Sequence, residues 1–229
     1  GVEGTKAALA ALAAEGETLD HCLVGEPTSG ERVGDTIKNG RRGSLNIALT
    51  MTGKQGHVAY PQRARNPVSP LLQTLHALKA RPLDDGAPGF DPSNLEITSI
   101  DVGNPAHNVI PARASAKLNI RFNTRHQADE LQDWIEQTAG ANARRANVSL
   151  DLSVASKSHP FYTEPGAFTD LLIAAARETF GVDTALSTTG GTSDARYIKD
   201  YCPVAELGLR NETAHMVDEH CDVEDVRAL

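Results

Sequence analysis

The chain of 229 residues is 40% hydrophobic and 23% charged, the balance of a soluble globular protein with room for one large or two small domains. Its formal net charge of −8 disfavours a nucleic-acid partner, because phosphates call for clustered Lys and Arg and no basic block exceeds a short pair such as Arg41-Arg42. No apolar run reaches the ~18 residues of a membrane span, no secretory signal opens the chain, and three scattered cysteines, Cys22, Cys202 and Cys221, point to a reducing, cytoplasmic compartment.

Gly1 to Thr5 carries no initiator Met and runs directly into an Ala-rich helical pattern that ends near Gly16, which reads as the start of a fragment. Leu19 to Val24 is expected to be a short buried strand closed by Gly25-Glu26-Pro27-Thr28, and Thr36 to Lys38 another, followed by the turn dipeptide Asn39-Gly40. From Ser44 the pattern alternates: Leu45, Ile47, Leu49 and Met51 point one way, Asn46, Ala48 and Thr50 the other, the period of a half-buried strand. Asn66 to Ala80 repeats at helical spacing through Val68, Leu71, Leu72, Leu75 and Leu78, with Asn66 as cap and Pro67 in the first turn. His76 within that stripe reads as a core histidine. Strands are expected over Leu95 to Val102, Ala114 to Phe122 and Val148 to Val154, with a helix over His126 to Gly140.

The order from Ser44 to Ser156 is thus β-α-β-β-α-β, the ferredoxin-like arrangement of four strands under two helices. Pro165 to Phe180 predicts an amphipathic helix with Phe168, Leu171, Leu172 and Ala175 as its apolar stripe and Gly181 as its stop. A glycine-rich loop, Ser187 to Asp194, precedes a short helix over Ser193 to Ile198, and Val204 to Leu209 is a buried strand leading into Arg210-Asn211-Glu212-Thr213-Ala214-His215. The outer pieces are too small to stand alone. They predict one α/β domain, residues 1–43 and 157–229, interrupted by an inserted dimerisation domain over 44–156. Loops after strands carry the chemistry in such sheets, and Glu26, Thr192 and His215 all fall in such loops.

Each polar residue taken singly reads as an ordinary loop or surface group. The glycine-rich loop could cradle an anion, but it lacks the lysine of a nucleotide-binding loop. The information lies in the joint order of Val24-Gly25-Glu26-Pro27-Thr28, Lys38-Asn39-Gly40-Arg41-Arg42-Gly43-Ser44, Gly56-His57-Val58-Ala59-Tyr60-Pro61, Asn108-Val109-Ile110-Pro111, Gly190-Gly191-Thr192-Ser193-Asp194 and Asn211-Glu212-Thr213-Ala214-His215. In this order and spacing the motifs resemble the succinyl-diaminopimelate desuccinylase family. That family lies within a zinc metallopeptidase group that includes acetylornithine deacetylase and glutamate carboxypeptidases.

The resemblance implies hydrolysis of N-succinyl-L,L-2,6-diaminopimelate to succinate and L,L-diaminopimelate by a cytoplasmic homodimer. Two zinc ions are implied, bridged by an aspartate and a water, with a glutamate as general base. Residue by residue, Glu26 matches a carboxylate ligand of one zinc and His215 an imidazole ligand of the other. His57 matches a histidine of the inserted domain that serves the partner protomer's oxyanion. Arg41, Ser44, Tyr60, Asn108, Arg121, Gly191, Thr192 and Asn211 match substrate contacts, with Arg41 and Arg121 suited to clamp a succinyl carboxylate. The family's other ligands and its catalytic glutamate have no match here; Glu3 opens a helix without a paired acidic neighbour and is assigned no role. A chain with one ligand per metal is expected to bind zinc weakly or not at all and to be inactive alone. An acetylornithine deacetylase-like amidase and a non-catalytic dimerisation or binding module are the alternatives.

Overall fold

A computed structural model describes residues 2–229, with the side chains of Val2 and Glu3 outside the described set, so the reading of Glu3 lies outside it too. In chain order the elements are α1 (Val2–Ala14), β1 (Cys22–Val24), β2 (Thr36–Lys38), β3 (Gly40–Arg41), β4 (Gly43–Thr52), β5 (Gly56–His57) and α2 (Val68–Ala80). There follow β6 (Asn94–Asp101), β7 (Val109–Ile110), β8 (Arg113–Phe122), α3 (Ala128–Arg145), β9 (Ser149–Ser158) and β10 (Phe161–Tyr162). The last are α4 (Ala167–Phe180), β11 (Ala185–Ser187), α5 (Ala195–Ile198), β12 (Val204–Glu206) and α6 (Val223–Ala228). The chain divides into two compact units: residues 1–42, 88–90 and 160–229 form the first, and residues 43–87 and 91–159 the second.

The second unit is a four-stranded sheet in the order β6-β8-β4-β9, antiparallel throughout. Strand alternation sends Leu45, Ile47, Leu49 and Met51 of β4 and Ala114, Ala116, Leu118, Ile120 and Phe122 of β8 to one face. There they pack with Leu71, Leu75 and Leu78 of α2 and Leu131, Ile135 and Ala139 of α3. Asn66 caps α2 through its Oδ1, which accepts the Val68 N–H at 3.0 Å. Two details of the α2 stripe are corrected: Leu72 is half exposed and His76 is exposed, because the buried face turns through Pro70, Leu71, Thr74, Leu75 and Leu78.

The first unit holds a mixed sheet in the order β1-β12-β2-β11, with β1 parallel to β12, β12 antiparallel to β2, and β2 parallel to β11. Successive β12 residues face opposite layers. Val204 packs with Leu9 of α1 and Ala195 and Ile198 of α5, while Ala205 packs with Ile37 and the α4 residues Phe168, Leu172 and Ile173. The expected stripe of α4 is rotated: Leu171 and Ala175 are exposed, and Thr169 and Ala176 are buried. Thr169 faces inward because its hydroxyl is occupied at the helix start, accepting from the Gly166 N–H at 2.8 Å. The helix ends as expected, at Gly181 with φ 61°.

Asn39-Gly40 does not form a hairpin turn. Asn39 Nδ2 donates to Thr163 O at 2.8 Å, Thr163 N donates to Asn39 O at 2.7 Å, and β3 pairs with β10. A side-chain bond to a distant backbone overrides the local turn preference.

Candidate active-site residues

The polar residues of the first unit converge where its strands end. Glu26 follows β1, the loop of residues 188–194 follows β11, and the segment carrying His215 follows β12. Gly208 brings the first and last together: a Cβ there would fall 2.3 Å from Glu26 O, so only glycine lets the two strand ends approach. Ser29 N donates to Leu209 O at 3.1 Å, and Asn211 N donates to Ser29 O at 3.0 Å.

At the centre lies Glu206, the last residue of β12 and fully buried. Its register partner across the sheet is Lys38. Arg41 Nε donates to Glu206 Oε2 at 2.6 Å and Nη2 closes on the same oxygen, while the Ser193 hydroxyl donates to Oε1. Arg41 Nη1 donates to Gly191 O at 2.9 Å. Gly190 sits at φ 108°, and a Cβ there would lie 2.6 Å from Arg41 Nη1, so the loop is moulded on the guanidinium. Lys38 Nζ donates to Ser187 Oγ and Thr189 Oγ1, both at 2.8 Å. Burial, and then the Arg41 charge, hold that ammonium below the ordinary lysine value against the opposing pull of Glu206 and Asp35. Burial raises the Glu26 carboxyl; Glu206 and Asp194 raise it further and Arg41 partly offsets them.

His215 is exposed and takes a left-handed backbone at φ 63°, a conformation that costs a non-glycine residue about 1–2 kcal/mol. Its loop is stapled at both ends. Arg210 Nε binds Asp225 at 2.6 Å and Nη1 binds Glu212 at 3.1 Å; Thr213 Oγ1 donates to His220 O at 2.7 Å and accepts from His220 N at 3.1 Å. Asn211, Gly191 and Thr192 are exposed beside these loops. A hollow of about 620 Å³ lies instead at the strand starts of this unit, lined by His21, Tyr162, Phe168, Tyr201 and Pro203 among others. It contains none of the residues implied by the resemblance.

In the second unit, β5 pairs with β7, setting His57 opposite Val109, and Val58 N donates to Asn108 O at 3.1 Å. Two separate motifs thereby share one small ribbon. His57 Nδ1 accepts the Ala59 N–H at 3.0 Å, which leaves the proton on Nε2, facing away as a donor. Tyr60, half exposed, lies with its ring centre 5.9 Å from that of His57 and is covered by the Arg63 guanidinium at 5.0 Å. Ser44 is buried and Arg121 half buried on neighbouring strands, in register across β4 and β8.

Glu206 and Lys38 went unassigned in the sequence. Glu206 reads there as one residue inside the buried strand Val204 to Leu209, and no local pattern reveals that its partner is Arg41, 165 positions away. A strand residue that is charged within Val204-Ala205-Glu206-Leu207 was the available signal, since a buried carboxylate demands a partner. The residues present do not make a metal centre by themselves. Glu26 and His215 would give one protein ligand to each of two ions, and among the described residues no three His, Cys, Asp or Glu side chains converge.

Residues 39–147 match the peptidase dimerisation domain, and the ferredoxin-like sheet described above lies largely within that span. The chain is homologous over its whole length to proteins named succinyl-diaminopimelate desuccinylase. It is 55% identical over 227 residues to the one from Caulobacter vibrioides (strain NA1000 / CB15N), covering 99% of this chain and 59% of the relative. It is 54% identical over 228 residues to that of Maricaulis maris, covering 100% and 58%. Among solved structures, aminopeptidase PepT from Bacillus cereus superposes with a TM-score of 0.76 at 18% identity, over 98% of this chain and 58% of that one. A tripeptidase from Staphylococcus aureus gives 0.74 at 17% identity, over 99% and 58%. The chain thus spans about 59% of the length of the curated relatives it matches. No helix among the described residues is long and apolar enough to cross a membrane.

Proposed function

We propose that this chain works as part of a metal-dependent amide hydrolase that removes the succinyl group from N-succinyl-L,L-2,6-diaminopimelate, in lysine and cell-wall precursor synthesis. The observation that carries the reading is 55% identity to a succinyl-diaminopimelate desuccinylase over 99% of the chain. The metal is taken to be zinc, with Glu26 and His215 as this chain's ligands and the remainder supplied by sequence the chain does not include. In the first unit, Arg41 offers a fixed guanidinium to a carboxylate, with Gly191, Thr192 and Asn211 as further contacts. In the second unit, the resemblance assigns substrate contact to Arg121, Ser44, Tyr60 and Asn108.

His57, with its proton on Nε2, is suited to donate to the oxygen that gains charge as the amide carbonyl becomes tetrahedral. Loss of one such donor costs about 2.7–4 kcal/mol of barrier, or 10²–10³ in rate. The dimerisation domain over residues 39–147 supports a homodimer; its cytoplasmic setting, and service of His57 to the partner protomer, follow from the resemblance. Assay of a chain of the relatives' full length on N-succinyl-diaminopimelate and on N-acetylornithine tests the reading. A preference for the succinyl substrate that His57→Ala lowers by 10²–10³ in kcat is expected; preference for the acetyl substrate would overturn it.

A further inference from the structure

We infer that Glu206 is a positioning residue for substrate selection: from within the sheet it locks Arg41 and the Gly190–Ser193 loop into one arrangement that presents the remaining guanidinium N–H groups to a carboxylate-bearing acyl group. The inference rests on the reading of Arg41 as the succinyl clamp and adds what makes that clamp selective.

The geometry assigns three of the five Arg41 N–H groups. Nε and Nη2 go to Glu206 Oε2, and Nη1 goes to Gly191 O. One N–H each on Nη1 and Nη2 is left over. A long arginine stem left to itself would spread over many rotamers, whereas a guanidinium held on one edge by a carboxylate offers its remaining edge in one direction. Glu206 supplies that restraint from a fully buried position on β12, a regular strand paired on both sides. Its other oxygen takes the Ser193 hydroxyl, so one carboxylate fixes both the arginine and the loop folded around it. The loop in turn passes close to the guanidinium at a glycine: Gly190 holds φ 108°, which a side chain would strain, and a Cβ there would come 2.6 Å from Nη1. Gln at position 206 would keep the volume and lose the charge. Arg41 would then keep its chemistry while losing its aim, and a displacement of ~1 Å in a positioned group can cost about 10²-fold.

Two measurements test this. In the 229-residue chain, 15N NMR of arginine side chains should show Arg41 Nε–H as a distinct, slowly exchanging resonance that is lost in Glu206→Gln and retained in Arg210→Lys. In a full-length form, kcat/KM is compared for N-succinyl- and N-acetyl-diaminopimelate, which share the leaving amine and differ in the terminal carboxylate. Arg41→Ala should lower the succinyl preference by about 10²-fold. Glu206→Gln should reproduce most of that loss, chiefly as a rise in KM, and add nothing when combined with Arg41→Ala. Ser193→Ala, a milder change that tests the same carboxylate if Glu206→Gln fails to fold, should lower the preference several-fold.

If Arg41→Ala leaves the succinyl preference intact, the clamp itself is refuted, and the inference with it. If Arg41→Ala collapses the preference while Ser193→Ala, and Glu206→Gln where it folds, keep it, the positioning role alone is overturned.

Discussion

Asp84 is the tightest polar hub of the second unit, and its removal is a quantitative test of how that unit is held together. Its side chain is 4% exposed, and Oδ2 meets His126 Nε2 at 2.8 Å. Oδ1 accepts from Gly86 N at 2.7 Å, Ser93 N at 3.1 Å and Asn123 Nδ2 at 2.8 Å. Burial alone would raise this carboxyl, but the bonds from Ser93, Gly86 and Asn123 outweigh it and hold it well below the usual carboxylate range. Hydrogen bonds to a charged group contribute about 1.5–3 kcal/mol each but do not add when they share one carboxylate. Removing the acceptor strands the Gly86 and Ser93 N–H groups and the Asn123 amide, at about 1–3 kcal/mol for each buried donor left unsatisfied. Asp84→Ala should therefore cost about 3–5 kcal/mol at neutral pH, a large share of a domain's typical ~5–15 kcal/mol. Asp84→Asn keeps the shape and one acceptor and should cost about 1–2 kcal/mol.

The assay is urea unfolding followed by fluorescence of Trp134, the single tryptophan of the chain. It lies on α3, packs against the core of this unit and carries Arg81 over its ring at 4.9 Å, so it reports on the unit that contains Asp84. With a slope of ~1–3 kcal/mol per molar urea, the Asp84→Ala midpoint should drop by about 2 M. The pH dependence has a definite sign. A carboxyl whose folded pKa is depressed contributes stability above its unfolded pKa, ~3.9, and loses it as pH falls through the folded value. The gap between the parent chain and Asp84→Ala should be full at pH 7 and narrow steadily below pH ~4. A gap under ~1 kcal/mol at pH 7, the scale of an ordinary single hydrogen bond, or one that widens on acidification, would refute the hub.

Two further outcomes are expected. Glu26 has its carboxyl raised by burial, Glu206 and Asp194, so the sign is opposite: its contribution is intact at low pH and is lost as pH rises through the raised value. Glu26→Gln should therefore melt at a higher temperature than the parent chain at pH 8 and nearly level with it at pH 4, as thermal scans at the two pH values will show. Arg210→Ala removes the staple to Asp225 and Glu212; backbone amides from Glu212 to Asp222 should then exchange with deuterium at least about tenfold faster, while Trp134 unfolding stays unchanged.

Much of the fold was legible in the sequence because side-chain period and environment agree. The alternation of Leu45, Ile47, Leu49 and Met51 could serve only one sheet face, and β4 is buried accordingly. Where the apolar residues outnumber the available interior, the sequence misleads: Leu171 and Ala175 are as apolar as Leu172 and Ala176, and only the Thr169 hydroxyl at Gly166 sets which side of α4 turns in. His76 was drawn into a core reading by its neighbours in the same way. The loops carrying Glu26, Thr192 and His215 were legible because strand ends are readable. The arrangement around Glu206 was not, since a bond spanning 165 positions leaves no mark on either local pattern.

The distribution of unfavourable features bears on function more than any single residue does. The second unit keeps most local rules: its strands alternate, Asn66 holds the α2 start and Asp84 is fully bonded, although Asn147 takes a left-handed backbone at φ 53° and the buried Ser158 hydroxyl has no partner among the described residues. The first unit concentrates its exceptions where three strands end. There a carboxyl is raised by its acidic neighbours at Glu26, an ammonium is depressed at Lys38, a fully buried charge sits at Glu206, and a left-handed backbone occurs at His215. Each feature opposes folding when taken alone, and scattered over a surface each would be an accident. The first three meet along the row where the ends of oppositely directed strands pair, and mark a place where stability gives way to preorganised charge, as perturbed groups at binding and catalytic sites do. Acidic groups held closer than they would choose are what a cation relieves, and an arginine fixed on one edge is what a carboxylate completes. Charges of both signs, the raised Glu26 carboxyl and the Arg41 guanidinium held by Glu206, therefore stand together at the strand ends of the first unit.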